Sequence, residues 1–88
     1  MSDRVIVMHD IQTVSGMYQA GRLTDARIRP TPDGEAFILV LRTINSSEVV
    51  LSTTKRRNSK PKSFKAVQTA LNTAKTIGFS NAQVEFYN

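Results

Sequence analysis

The chain of 88 residues contains no cysteine, no tryptophan and one histidine. Without cysteine there is neither a disulfide framework nor a thiolate zinc site, and a single histidine cannot build the usual imidazole metal centres. No metal or other cofactor is therefore expected, and a reducing cytoplasm suits the composition. Long apolar runs are also missing: the longest, Ala36 to Leu41, has six residues, against about 20 for a spanning helix. Four successive apolar residues, Val5 to Met8, are too few for a signal-peptide hydrophobic region. The sequence thus predicts neither secretion by that route nor a membrane span, and Asn45-Ser46-Ser47, a formal glycosylation match, carries no weight.

The most telling absence is of negative charge. Neither Asp nor Glu occurs from Val49 to Val84, whereas that stretch holds seven of the twelve Lys and Arg residues. The stretch carries +7 and the remainder −2, which sum to the formal net charge of +5. Within it, Lys55-Arg56-Arg57-Asn58-Ser59-Lys60-Pro61-Lys62 places five basic residues in eight positions, and Lys65 adds a sixth. Such a cluster suits a polyanion, because lysine and arginine charges concentrate phosphate near them.

Hydrophobic residues at 40% and charged residues at 22% are globular values and predict one small packed domain over residues 1–88. Ala36 to Thr43 is β-branched and aromatic-rich and reads as a central strand. Thr31-Pro32-Asp33-Gly34 has turn chemistry before it, with Arg22 to Arg29 as the preceding strand; Asn45-Ser46-Ser47 turns the chain into a third strand over Glu48 to Thr54. Phe64, Val67, Ala70, Leu71, Ala74 and Ile77 then fall at helical spacing. Ser63 is placed to cap the N-terminus of this helix, and Gly78 to end it, with Phe79 folding back. Gln83 to Tyr87 alternates like a last strand, with Val84 and Phe86 inward. A short helix over Asp10 to Ala20 follows an extended or frayed segment 1–8. The fold expected is α+β: a three-stranded antiparallel meander packed by one amphipathic helix, in the order α-β-β-β-α-β.

The candidate site comprises Lys55, Arg56, Arg57, Lys60, Lys62, Ser63 and Lys65, a basic loop leading into a helix N-terminus whose unpaired N–H groups and dipole favour anions. Nucleic acid is the expected partner. Arg22, Arg27, Arg29 and Arg42 on the strands, and Gln68, Asn72 and Lys75 on the helix, are secondary candidates for base or backbone contacts. Tyr18 and Tyr87 are the best candidates for exposed rings, since Phe37, Phe64, Phe79 and Phe86 fall on buried faces; single-strand stacking is accordingly disfavoured. His9-Asp10 is an isolated pair, the carboxylates are scattered and no glycine-rich phosphate loop exists, so no enzyme is expected. The alternative is a small adaptor whose open sheet edge or face pairs with another chain or a second copy, with an incidentally basic loop.

The order helix, three antiparallel strands, basic loop, helix resembles the double-stranded RNA-binding domain, in which lysines at the start of the last helix bridge phosphates across a groove. In that resemblance Lys60, Lys62 and Lys65 take the role. It is one of architecture: the Thr31 to Gly34 turn has no histidine, Lys62-Ser63-Phe64-Lys65 replaces the family's lysine-lysine-x-alanine-lysine, and a fourth strand follows. Met17-Tyr18-Gln19-Ala20-Gly21-Arg22-Leu23, Pro32-Asp33-Gly34 and Phe64 to Ala70 running to Ile77-Gly78-Phe79 are similar to small accessory proteins of bacterial plasmids and integrating conjugative elements. That resemblance implies a bacterial mobile-element setting more than an activity and is compatible with DNA binding; DNA is expected in preference to RNA.

Overall fold

The structure, a computed structural model, describes residues 7–53 and 60–85. The described chain forms β1 (Val7–His9), α1 (Ile11–Gln19), β2 (Leu23–Pro30), β3 (Phe37–Thr43), β4 (Glu48–Leu51), β5 (Ser63–Phe64), α2 (Val67–Ile77) and β6 (Gln83–Val84). The Cα radius of gyration, 12.4 Å, is close to the roughly 12 Å of a single domain of this length.

The expected meander is present. β3 pairs antiparallel with β2 on one side and with β4 on the other, Arg27 opposite Val40 and Val40 opposite Val50. It is the middle of a larger, mixed sheet. β1 adds to β4 in parallel, β6 adds to β2 in parallel, and β5 pairs with β3, giving the order β1-β4-β3-β2-β6 with β5 on β3. Both extra edges are strands of two or three residues, held by the core rather than by their own propensity. A register shift between Leu23 and Asp25 marks a bulge at Thr24. The bulge turns Leu23 inward together with Ala26 and Ile28, although the three are not evenly spaced.

Two helices, not one, cover a single face. Val14 of α1 and Ala70, Ala74 and Ile77 of α2 pack in one cluster with Ile28, Leu39, Leu41, Leu51 and Phe64. α1 starts where Asp10 accepts a hydrogen bond from the Thr13 N–H at 3.1 Å, satisfying one orphan donor of the first turn.

The start of α2 differs from the sequence reading. The helix begins at Val67 with Ala66 as its cap and no capping side chain, while Ser63 and Phe64 belong to β5. Phe64 lies three residues before Val67, so an inward strand residue falls on the helical stripe by coincidence. Its burial opposite Phe37 wins over helix propagation. β4 likewise ends at Leu51, short of Thr54, and β6 at Val84, short of Tyr87; Phe86 and Tyr87 lie outside the described residues. At the other end of α2, Gly78 has φ 139°, and the N–H groups of Gly78 and Phe79 both donate to the Ala74 carbonyl, at 3.1 and 3.0 Å. Phe79 folds back and meets Tyr18 edge-on, with ring centroids 4.8 Å apart.

Candidate nucleic-acid interface

β4 and β5 occupy the same edge of β3, one after the other. Val50 stands opposite Val40 and Ser63 opposite Ile38, so a regular strand would need one further residue between them. Leu51 takes that place. The strand line is thus left after Leu51 and rejoined at Ser63, and the basic segment falls between, its residues 54–59 outside the described ones. Its neck is pinned on three sides. The Thr53 N–H donates to the Lys60 carbonyl at 3.1 Å, the Lys62 N–H to the Leu51 carbonyl at 2.9 Å, and the Ser52 N–H to the His9 carbonyl of β1 at 2.8 Å. Ser52 and Pro61 form an antiparallel bridge.

Of the expected site residues, Lys55, Arg56 and Arg57 lie outside the described residues. Lys60, Lys62, Ser63 and Lys65 are exposed around the neck. The Lys62 ammonium sits 5.7 Å from the centroid of the Phe64 ring. Ser63 points to the opposite sheet face from Phe64 and gives α2 no cap. The uncapped first turn of α2, with no acidic residue in it, leaves its N–H groups to solvent or to an anion. Lys60, Lys62, Lys65 and Lys75 make no ion pair among the described residues.

The strand arginines behave differently. Asp25, Arg27 and Arg29 of β2, Arg42 of β3, Glu48 of β4 and Glu85 after β6 share the sheet face that carries no helix. Arg29 Nε donates to Glu85 at 2.7 Å and its Nη2 to Glu48 at 3.2 Å, while Arg27 Nη1 donates to Glu85 at 3.3 Å. Arg27 Nε lies 3.8 Å from Asp25. The Arg29 hydrogen bond holds the Glu85 carboxyl below its ordinary range, with Arg27 adding to the effect, and Glu85 in turn raises the Arg29 guanidinium. Because the Arg29–Glu48 pair reaches from β2 to β4, its stem crosses β3. Val40 is 1% exposed on a face that neither helix covers, as such a crossing stem would produce. Arg27 and Arg29 are thus committed to carboxylates. Arg42 is half-buried, its Nε without an acceptor, and Arg22 remains exposed.

The other secondary candidates divide similarly. Gln68 Nε2 donates to Asn72 Oδ1 at 3.0 Å across one turn of α2, so these amides serve each other. Tyr18 is half-buried against Phe79 and is not a free stacking platform, contrary to the sequence reading. Tyr87 lies outside the described residues. His9 and Asp10 have structural roles, one through its backbone carbonyl at the loop neck and the other as the α1 cap. Among the described residues no group of three or more His, Cys, Asp or Glu could hold a metal ion, and no helix is long and apolar enough to cross a membrane.

One feature escaped the sequence reading. A cleft of about 460 Å³ opens beside the neck, lined by Asp10, Ile11 and Gln12 of α1, Leu51, Ser52, Thr53 and Lys62 of the neck, and Thr73 of α2. These positions are far apart in the chain, and only the docking of both helices on the sheet joins them. No family model, curated protein or solved structure matches the chain.

Proposed function

We propose that the protein is a non-enzymatic nucleic-acid-binding accessory or regulatory protein that holds phosphates with the basic segment 55–62, Lys65 and the first turn of α2. The observation that carries this reading is the interrupted strand. The fold leaves and rejoins one strand line through a pinned neck, the chain between holds five of the twelve basic residues, Lys55, Arg56, Arg57, Lys60 and Lys62, and no acid, and Lys65 follows just beyond β5. Asp25, Glu48 and Glu85 are engaged by Arg27 and Arg29 on the helix-free sheet face. DNA is the proposed polymer, a choice compatible with the resemblance to plasmid and conjugative-element accessory proteins.

If five or six residues neutralise phosphates on a duplex, the slope of log affinity against log salt is about −4.5 to −5.4, from about −0.9 per phosphate. The test is a salt titration of binding to a short DNA duplex by wild type and by the Lys55→Glu/Arg56→Glu/Arg57→Glu variant. Loss of three phosphate contacts makes the slope shallower by about 2.7 and weakens binding at every salt concentration. Equal affinity and equal slope for the two proteins overturn the proposal and leave the adaptor reading, in which another protein chain is the partner.

A further inference from the structure

The outward face of α2 is polar without being negative anywhere. Gln68, Asn72 and Lys75 follow one another down the helix, all exposed, on the side opposite Ala70, Ala74 and Ile77, with Thr69 and Thr76 beside them. A surface helix ordinarily carries charged residues on this face. Here Lys75 is the only charged residue of α2, and it makes no ion pair among the described residues. α1 has no charged residue either, and Asp10, its cap, stands at the far end of the helical layer.

The two amides are arranged as well as exposed. Gln68 Nε2 donates to Asn72 Oδ1 at 3.0 Å, which takes one lone pair of that oxygen and fixes the amide. The second lone pair and the Asn72 N–H donors remain. Side by side on a planar amide, they match the N6–H donor and N7 acceptor that adenine shows in the major groove. One turn on, the Thr76 hydroxyl donates to the Asn72 carbonyl at 3.0 Å. What Thr76 has left to offer is chiefly a methyl, the group that packs on the thymine C5-methyl. An A·T pair presents both features in its major groove and neither in its minor groove.

Size and charge suit the same occupant. α2 has 11 residues and is about 16 Å long, and the major groove, about 12 Å wide, admits a helix. A helix lying there brings Lys65, just before its start, and Lys75, in its last turn, toward the phosphates that border the groove. The helix has no aromatic ring on which an unpaired base could stack, so its face suits a duplex and not a single strand.

We infer that α2 lies in the major groove of duplex DNA and reads adenine through Asn72, with Gln68 as the residue that positions the Asn72 amide. The inference rests on the phosphate-binding reading and adds to it a groove and a base preference.

The test measures binding by fluorescence anisotropy to duplexes of equal length: alternating A·T, alternating G·C, and alternating A·T with 7-deazaadenine, in which a C–H replaces N7. Wild type should prefer A·T to G·C about five- to tenfold, the low end of what a bidentate base contact is worth. It should lose most of that preference on the 7-deazaadenine duplex, which is altered in the major groove alone. Asn72→Ala should bind A·T no more tightly than G·C, and Gln68→Ala should fall between it and wild type. Both variants should keep the wild-type affinity for G·C and the wild-type salt slope; the positions are exposed and alanine is the better helix former, so the fold is retained. A preference that survives 7-deazaadenine comes from the minor groove or from DNA shape and refutes the inference. An Asn72→Ala protein that keeps the preference, or that weakens on both duplexes alike, refutes it as well, and wild-type behaviour of Gln68→Ala refutes the positioning role. Equal wild-type affinity for A·T and G·C refutes the base reading and leaves the phosphate reading standing. Absence of any duplex binding at low salt refutes both.

Discussion

Replacing Gly78 by alanine should destabilise the protein by about 2–4 kcal/mol, through two separable effects. The first is backbone strain. Gly78 has φ 139° and ψ −8°, a region that side chains rarely adopt, and such residues cost about 1–3 kcal/mol. The second is a collision. A Cβ at this position would lie 2.6 Å from Cδ2 and 2.9 Å from Cζ of Tyr18, on a ring already packed edge-on against Phe79. Tyr18 would have to leave its place, and overpacking of this kind costs about 1–3 kcal/mol. Urea denaturation measures the sum, and the same substitution in a Tyr18→Ala background separates its parts. With the ring gone only the backbone effect remains, so Gly78→Ala should be about 1–2 kcal/mol milder there. The same cost in both backgrounds would show that Tyr18 does not sit over Gly78, and with it would fall the account of how α1 docks on the end of α2. A wild-type-like stability for the single variant would refute the backbone argument too.

Two further contrasts test the helix starts and the sheet face. Asp10→Ala should cost about 1 kcal/mol, the usual worth of an N-cap, whereas Ser63→Ala should stay within about 0.5 kcal/mol of wild type, as exposed substitutions do; urea midpoints of the two variants decide, and a cost of about 1 kcal/mol at Ser63 would restore it as a helix cap. Glu85→Gln should cost about 1 kcal/mol at neutral pH and low salt, a modest figure because the ion pairs are partly solvated. Its pH dependence has a definite sign. The arginines hold the folded-state carboxyl below its ordinary value of 4.5, so its stabilisation is complete above that value and is lost as pH falls through the depressed one. Stability curves of wild type and Glu85→Gln measured by urea denaturation should therefore converge in acid, and parallel curves would refute the pairing.

The parts of the fold that were legible in the sequence are those fixed by near neighbours. The Asn45-Ser46-Ser47 turn, the strands it joins, and the Gly78-Phe79 reversal each depend on a few consecutive residues. The last strand was legible too, since β6 falls within the alternating Gln83 to Tyr87 and pairs at a sheet edge, but its parallel place beside β2 was not, and β1, three residues long, carries too little pattern to be read as a sheet partner. Phe64 misled for a related reason: helical and strand periodicities agree over so short a stretch, and burial opposite Phe37 settled the matter. The basic cluster was visible as composition, yet the neck that pins it required knowing that β4 and β5 share one edge of β3.

Sequence could not separate the arginines from the lysines, and that separation bears most on function. Arg29 and Glu85 are 56 positions apart, so an arginine committed to a carboxylate looks the same as one free to meet a phosphate. The topology sorts them. On the helix-free face, among the described residues, Arg27, Arg29 and Arg42 stand with Asp25, Glu48 and Glu85, three charges of each sign that leave little net field. The lysines at 60, 62, 65 and 75, without ion-pair partners among the described residues, stand around the neck and on α2. A polyanion approaching a protein of formal charge +5 is drawn to where charge is uncompensated rather than to where basic residues are most numerous. Under the phosphate-binding proposal, charge neutrality on one face would therefore orient the encounter toward the other before any contact is made.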